Sequence, residues 1–119
     1  MTDWVLEESP FFVRRFKKYQ KKHQKETIAV LNNLDTYLRT LNNGIKPALI
    51  HAGFVHREPH GIVAIDQKGA KGGTRETRLY VYAFETGNIL YLITIGDKRS
   101  QQRDIADCKE FVNMLRKEF

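Results

Sequence analysis

The sequence predicts a single α+β domain: an N-terminal strand and helical hairpin, a mainly antiparallel sheet of three or four strands, and a C-terminal helix. Three observations carry that prediction. Apolar residues recur every three or four positions between Phe12 and Leu41 and again between Ile105 and Phe119. The stretch Arg78 to Phe84 alternates sides, with Leu79, Val81 and Ala83 on one face and Arg78, Tyr80, Tyr82 and Phe84 on the other. Glu85-Thr86-Gly87-Asn88 then turns the chain into the nearly all-apolar run Ile89 to Ile95, the pattern of a central strand.

Residues 3–8 read as a short first strand. Ser9-Pro10 opens a helix, because a serine side chain caps exposed backbone N–H groups and proline suits the first helical turn. Phe12, Phe16 and Tyr19 form its apolar stripe. A second helix is expected from about Glu26, with Ile28, Leu31, Leu34, Leu38 and Leu41 as its buried face. Asn42-Asn43-Gly44 ends it, since asparagine and glycine tolerate the left-handed conformation. The minimal linker between the two helices predicts a hairpin.

Strand character begins near residue 49, weakly over Leu49 to His56 and clearly over Gly61 to Ile65. Asp66 to Thr74, with three glycines, reads as a partly basic loop. After Gly96-Asp97-Lys98-Arg99, Ser100 is expected to cap a last helix whose inner face carries Ile105, Cys108, Val112, Leu115 and Phe119. No repeat or low-complexity segment interrupts this order.

At 119 residues the chain supports one domain, residues 1–119, with a core large enough to need no staple. The single Cys108 excludes an internal disulfide and a cysteine-based zinc site. No apolar run is long enough to span a bilayer and the start lacks a secretory pattern, so a soluble cytoplasmic protein with no membrane partner is expected. The formal net charge of +6 favours polyanions or an acidic partner. Much of it sits between Arg14 and Lys25, where seven bases occur in twelve residues without an acid. Like charges at that density repel one another, which points to ribosomal RNA phosphates or the acidic face of a partner protein. Exposed Phe11 and Val13 beside them suit a partner's amphipathic helix.

Four histidines are His23, His51, His56 and His60. His56 and His60 span Pro59, so helical metal-ligand spacing is lost, and no cysteine or carboxylate cluster accompanies them. No metal site is expected. An acid–base role at the sheet edge stays open for His56 or His60, and Cys108 fits the core.

Thr74-Arg75-Glu76-Thr77-Arg78-Leu79-Tyr80-Val81-Tyr82, then Ile89-Leu90-Tyr91-Leu92-Ile93, then Gly96-Asp97-Lys98-Arg99-Ser100-Gln101 and Asp104-Ile105 appear in that order. This text resembles the RelE/ParE superfamily of toxins from type II toxin–antitoxin modules, most of all its HigB-like killer-protein branch. The motif-level likeness covers roughly residues 61–112, and the helical hairpin matches in layout. The resemblance implies a RelE-like fold and a cytoplasmic toxin neutralised by an antitoxin that carries a helix-turn-helix or other DNA-binding domain.

The activity expected first is metal-free, ribosome-dependent mRNA cleavage without a cofactor, favoured by the Gly96-Asp97-Lys98 turn and the Arg75/Arg78 pair; the alternatives are inhibition of DNA gyrase without cleavage, or antitoxin binding alone. For cleavage, Arg78 would clamp the scissile phosphate with its bidentate fork and Lys98 would assist at the transition state. Arg75, Arg99, Lys68 and Lys71 would add RNA contacts. Asp97 is open to a plain turn-capping role. Two departures favour gyrase inhibition: Ala64-Ile65-Asp66 stands where the killer branch carries a Glu-Leu-Arg-like stretch, and the last helix has no Tyr or His. Tyr80 or Tyr82 would then have to serve as the aromatic acid–base group.

Overall fold

The computed structural model describes residues 3–67 and 76–118. Within them the order is β1 (Val5–Glu8), α1 (Pro10–Lys22), α2 (Gln24–Asn42), β2 (Val55–Arg57), β3 (Ile62–Gln67), β4 (Thr77–Phe84), β5 (Ile89–Asp97) and α3 (Gln101–Glu118). Short 3-10 turns at Pro47–Leu49, Pro59–Gly61 and Lys98–Ser100 link these elements. The five strands form one mixed sheet in the order β1-β5-β4-β3-β2. The class is α+β as the sequence predicts, with the N-terminal strand joined by four further strands. Val55–Arg57 pairs antiparallel with β3, and β1 pairs parallel with β5 through Val5 opposite Ile89. No helix among the described residues is long and apolar enough to cross a membrane.

Each sheet face carries its own core. The helical hairpin covers one face, where Phe12, Val30, Leu34, Tyr37 and Leu41 pack on Val63, Ile65, Leu79, Val81, Leu90, Leu92 and Ile95. Helix α3 covers the other, placing Cys108, Phe111, Val112 and Leu115 on Ile62, Ala64, Tyr80, Tyr91 and Ile93. That double covering is why β4 and β5 bury both sets of alternating side chains. Cys108 is a core residue, as expected.

Ser9 caps α1: its hydroxyl accepts from Phe12 N at 3.2 Å and donates to the carbonyl of Ile93. Ile93 is the extra residue where the β4–β5 register slips between Tyr80 and Val81. The cap therefore also fastens α1 to a bulge in the sheet. Three expected details differ. The buried side of α2 runs through Thr27, Val30, Leu34, Tyr37 and Leu41, with Ile28 exposed and Leu31 and Leu38 half-buried. Asp66 and Gln67 belong to β3 rather than to a loop. The residue that caps the turn into α3 is Asp97, not Ser100.

Candidate functional site

Most of the motif Gly96-Asp97-Lys98-Arg99-Ser100 with Asp104 builds a joint. Asp97 Oδ1 accepts from Arg99 N at 2.9 Å, and Asp97 N donates to Ser100 Oγ at 3.2 Å, a reciprocal capping box. Ser100 Oγ in turn donates to Asp104 Oδ2 at 2.7 Å. A Cβ on Gly96 would overlap both the Asp104 carboxylate and the Ser100 hydroxyl, so only glycine fits beneath them. Asp104 is fully buried, and burial raises its pKa against the pull of the Ser100 hydroxyl, Arg103 and Arg15. Arg15 spans from α1 to α3, with Nη1 2.6 Å from Asp107 Oδ2, 3.7 Å from Asp104 Oδ1 and 3.0 Å from Thr94 Oγ1. Asp97 thus has the capping role that the sequence left open.

Beside this joint lies an open groove of about 660 Å³ between α1 and the start of α3. Ile95 and Gly96 line it between two rows of bases: Arg14, Lys18 and Lys22 from α1, and Arg99 and Arg103 from the other side. The α1 bases stand at i, i+4 and i+8, so one helix face presents all three. Arg14, Lys18, Lys22 and Arg99 are exposed, with no carboxylate at ion-pair distance among the described residues. Tyr19 and His23, their rings 4.6 Å apart, also line the groove. Arg14 and Arg15 each stack a guanidinium 5.3 Å above the half-buried Phe11 ring. Phe11 packs against the α3-side core, and Val13 is the exposed apolar residue of the pair.

The second cluster lies at the same end of the sheet, across β4, β3 and β2. Register places Arg78 between Asp66 and Gly96. Arg78 Nε lies 3.0 Å from Glu76 Oε1 and 3.4 Å from Asp66 Oδ1, and its Nη1 lies 3.9 Å from Glu58 Oε1. Burial alone would lower the Arg78 pKa, but the Glu76 hydrogen bond and the charges of Asp66 and Glu76 carry it above its ordinary value. Its guanidinium is a fixed charge and takes no part in proton transfer. Asp66 on β3 and Glu76 just before β4 are thus the nearest carboxylates to Arg78. Asp66 also meets His56, whose Nε2 lies 2.6 Å from Asp66 Oδ2.

The two clusters meet at a shallow depression lined by Glu76, Asp97, Lys98 and Arg99. Lys98 and Arg99 are exposed there, and Glu76 is the residue that holds Arg78. Arg78, Lys98 and Arg99 are thus at one corner of the sheet. Lys68, Lys71 and Arg75 lie outside the described residues.

Tyr80 is fully buried, and burial, reinforced by Asp104, pushes its hydroxyl pKa well above the ordinary phenol value. Tyr82 lines a different depression with Arg57, Phe84 and Arg116. Tyr82 thus lies away from the corner that holds Arg78 and Lys98, and Tyr80, two residues along β4 from Arg78 and within reach of its charge, is closed off from solvent. Sequence reasoning missed the Arg15 brace and the carboxylates around Arg78. The only signal was Asp66 at the end of an apolar strand, and its meaning depends on register. No protein-family model matches the chain, and no curated protein is significantly similar to it.

Proposed function

We propose that the chain is the toxin of a type II toxin–antitoxin module, of the RelE/HigB kind, and that it cleaves mRNA on the ribosome without a metal. The observation that carries this reading is the groove between α1 and Arg99–Arg103, with exposed bases on both walls and the motif turn forming one of them. A surface of that kind suits a phosphate backbone. The observed order of strand, helical hairpin, sheet and C-terminal helix is the order the resemblance implies.

Cleavage proceeds by attack of the ribose 2′-oxygen on its own phosphate. The bond from phosphorus to the 5′-oxygen breaks, leaving a 2′,3′-cyclic phosphate and a 5′-hydroxyl. Lys98 and Arg99, exposed beside the groove, stabilise charge on the phosphate. Arg78, already answered by carboxylates, is a weaker candidate for that contact than its motif position implies. The partners in this reading are a cognate antitoxin with a DNA-binding domain and mRNA on cytoplasmic ribosomes.

Gyrase inhibition without cleavage is the second reading, and the internally balanced Arg78 is what favours it. Inducing the protein and following a reporter transcript by primer extension separates the two. Translation-dependent cuts that fade in the Lys18→Gln/Lys22→Gln/Arg99→Gln variant are expected. Intact transcript together with blocked supercoiling would replace the nuclease with the gyrase inhibitor.

A further inference from the structure

We propose that the cavity at the far corner of the sheet binds a nucleoside monophosphate, with Arg57, Arg116 and the Tyr37 hydroxyl taking the phosphate and Tyr82 and Glu85 taking the base. The site goes beyond the RNA-directed reading above and stands independently of it. The corner is where the sheet is incomplete. β2 stops at Arg57, opposite Val63, and β3 starts at Ile62, opposite Tyr82, whereas β4 runs on to Phe84 beside Ile89 of β5. The missing strand residues leave an open cavity of about 430 Å³, walled by α2, the Pro47–Leu49 turn and Arg116 of α3. That volume is in the range of small-ligand sites. The cavity lies at the opposite end of β4 from Arg78, and no residue lines both it and the basic groove.

Tyr37 is the observation that points to a ligand. It is 1% exposed and lines the cavity, yet its hydroxyl has no hydrogen-bond partner among the described residues. Native structures seldom leave such a group unpaired, because its lost hydration is then replaced by nothing. Burial raises its pKa while the Arg57 charge pulls the other way, so the hydroxyl is a protonated donor within reach of that guanidinium. Arg57 Nη2 donates to the carbonyls of Pro47, Ala48 and Ile50 at 3.4, 3.0 and 2.9 Å. Those bonds fix the guanidinium in the cavity wall without neutralising it. Neither Arg57 nor Arg116 has a carboxylate at ion-pair distance among the described residues. Two guanidinia and a hydroxyl donor match a phosphate monoester, which carries about two negative charges at neutral pH.

The remaining walls select the body of the ligand. Tyr82 and Phe84 stand two residues apart on one face of β4, and both line the cavity. Aromatic side chains of this kind stack on a base. Glu85, exposed at the turn after β4, is an acceptor for a base's amino group, which favours adenine over uracil.

The test is calorimetric titration of the purified full-length chain with adenosine 5′-monophosphate. Adenosine, inorganic phosphate, uridine 5′-monophosphate and phenylacetate are titrated alongside. Adenosine 5′-monophosphate is expected to bind at one site, with each companion at least about tenfold weaker, since each lacks part of the contacts. Arg116→Gln and Tyr37→Phe should each weaken binding about tenfold, the worth of a hydrogen bond to a charged group. Tyr37→Phe should also keep the Tm at or above the wild-type value, because the hydroxyl has no partner in the free protein. A merely structural hydroxyl would lower it. Lys18→Gln/Lys22→Gln/Arg99→Gln, which disarms the groove, should bind the nucleotide as wild type does.

No binding of adenosine 5′-monophosphate overturns the proposal. Equal binding of inorganic phosphate does the same, since it marks a general anion patch. Loss of binding in the groove variant moves the nucleotide to the groove and overturns the assignment. Tighter binding of phenylacetate replaces the nucleotide with an aromatic carboxylate, and equal binding of the uridine nucleotide removes the role given to Glu85. Arg116 is exposed, so its variant keeps the test open should Tyr37→Phe unfold, and undiminished binding by Arg116→Gln overturns the site.

Discussion

Gly96 is the position where one added methyl group meets the most resistance. Its missing Cβ is the space in which the Asp104 carboxylate and Ser100 hydroxyl lie, and both belong to the joint between β5 and α3. Neither can yield cheaply, since Asp104 is fully buried and Ser100 is tied into the capping box. Gly96→Ala is expected to lower stability by about 1–3 kcal/mol, the usual cost of overpacking. A shift in the urea midpoint at constant m-value would show it, and a midpoint equal to wild type would mean the joint relaxes freely. The sequence announced a turn at Gly96-Asp97 and left open whether Asp97 merely caps it. The reason for the glycine was hidden because its contact comes from a residue eight positions on, across the turn. The same limit applied at Arg78: its place at the start of a strand was legible, but the three carboxylates around it come from β2's end, β3 and the segment before β4. Only strand register brings Asp66 opposite Arg78, and the sequence does not print register.

At the scale of elements, periodicity located every helix and the β4–β5 hairpin, while the rotation of α2 escaped it. The leucines at 31, 34, 38 and 41 with Ile28 make a convincing stripe, yet the core takes the neighbouring one through Thr27, Val30, Leu34, Tyr37 and Leu41. The two share Leu34 and Leu41, so leucine spacing alone does not choose between them. What decides is that the polar members of the inner stripe are tolerated there. Thr27 turns its hydroxyl to the carbonyl of His23 at 2.8 Å, and Tyr37 brings a large ring into the core. Two truncations separate the stripes. Val30→Ala should cost about 1.5–3 kcal/mol through two lost methyl groups and the space they leave. Ile28→Ala, at a position 52% exposed, should stay within about 0.5 kcal/mol. Reversed costs in chemical denaturation would restore the stripe expected from the leucines. Strand β1 was legible as a strand but not as a parallel one, because its four residues are all exposed and carry no alternation that points to β5.

For the whole molecule, the question is whether the excess charge acts through its amount or its placement. The net charge of +6 by itself draws any polyanion weakly, whereas the groove gathers Arg14, Lys18 and Lys22 on one wall opposite Arg99 and Arg103. Successive α1 bases are about 6 Å apart along the helix axis, so a strand lying in the groove meets them one after another. Each phosphate contact made on binding single-stranded nucleic acid releases counterions and steepens the salt dependence of affinity by about 0.7 in log–log slope. The triple variant Arg14→Gln/Lys18→Gln/Lys22→Gln should therefore bind a single-stranded RNA with a slope shallower by about 2. A second triple variant, Lys46→Gln/Lys109→Gln/Lys117→Gln, removes the same three charges from positions that do not line the groove. Both leave a net charge of 6 − 3 = +3. If placement governs, only the groove variant loses slope, measured by fluorescence anisotropy across a salt series. Equal losses in the two variants would show that RNA responds to total charge, and the groove would then have no claim as the RNA path.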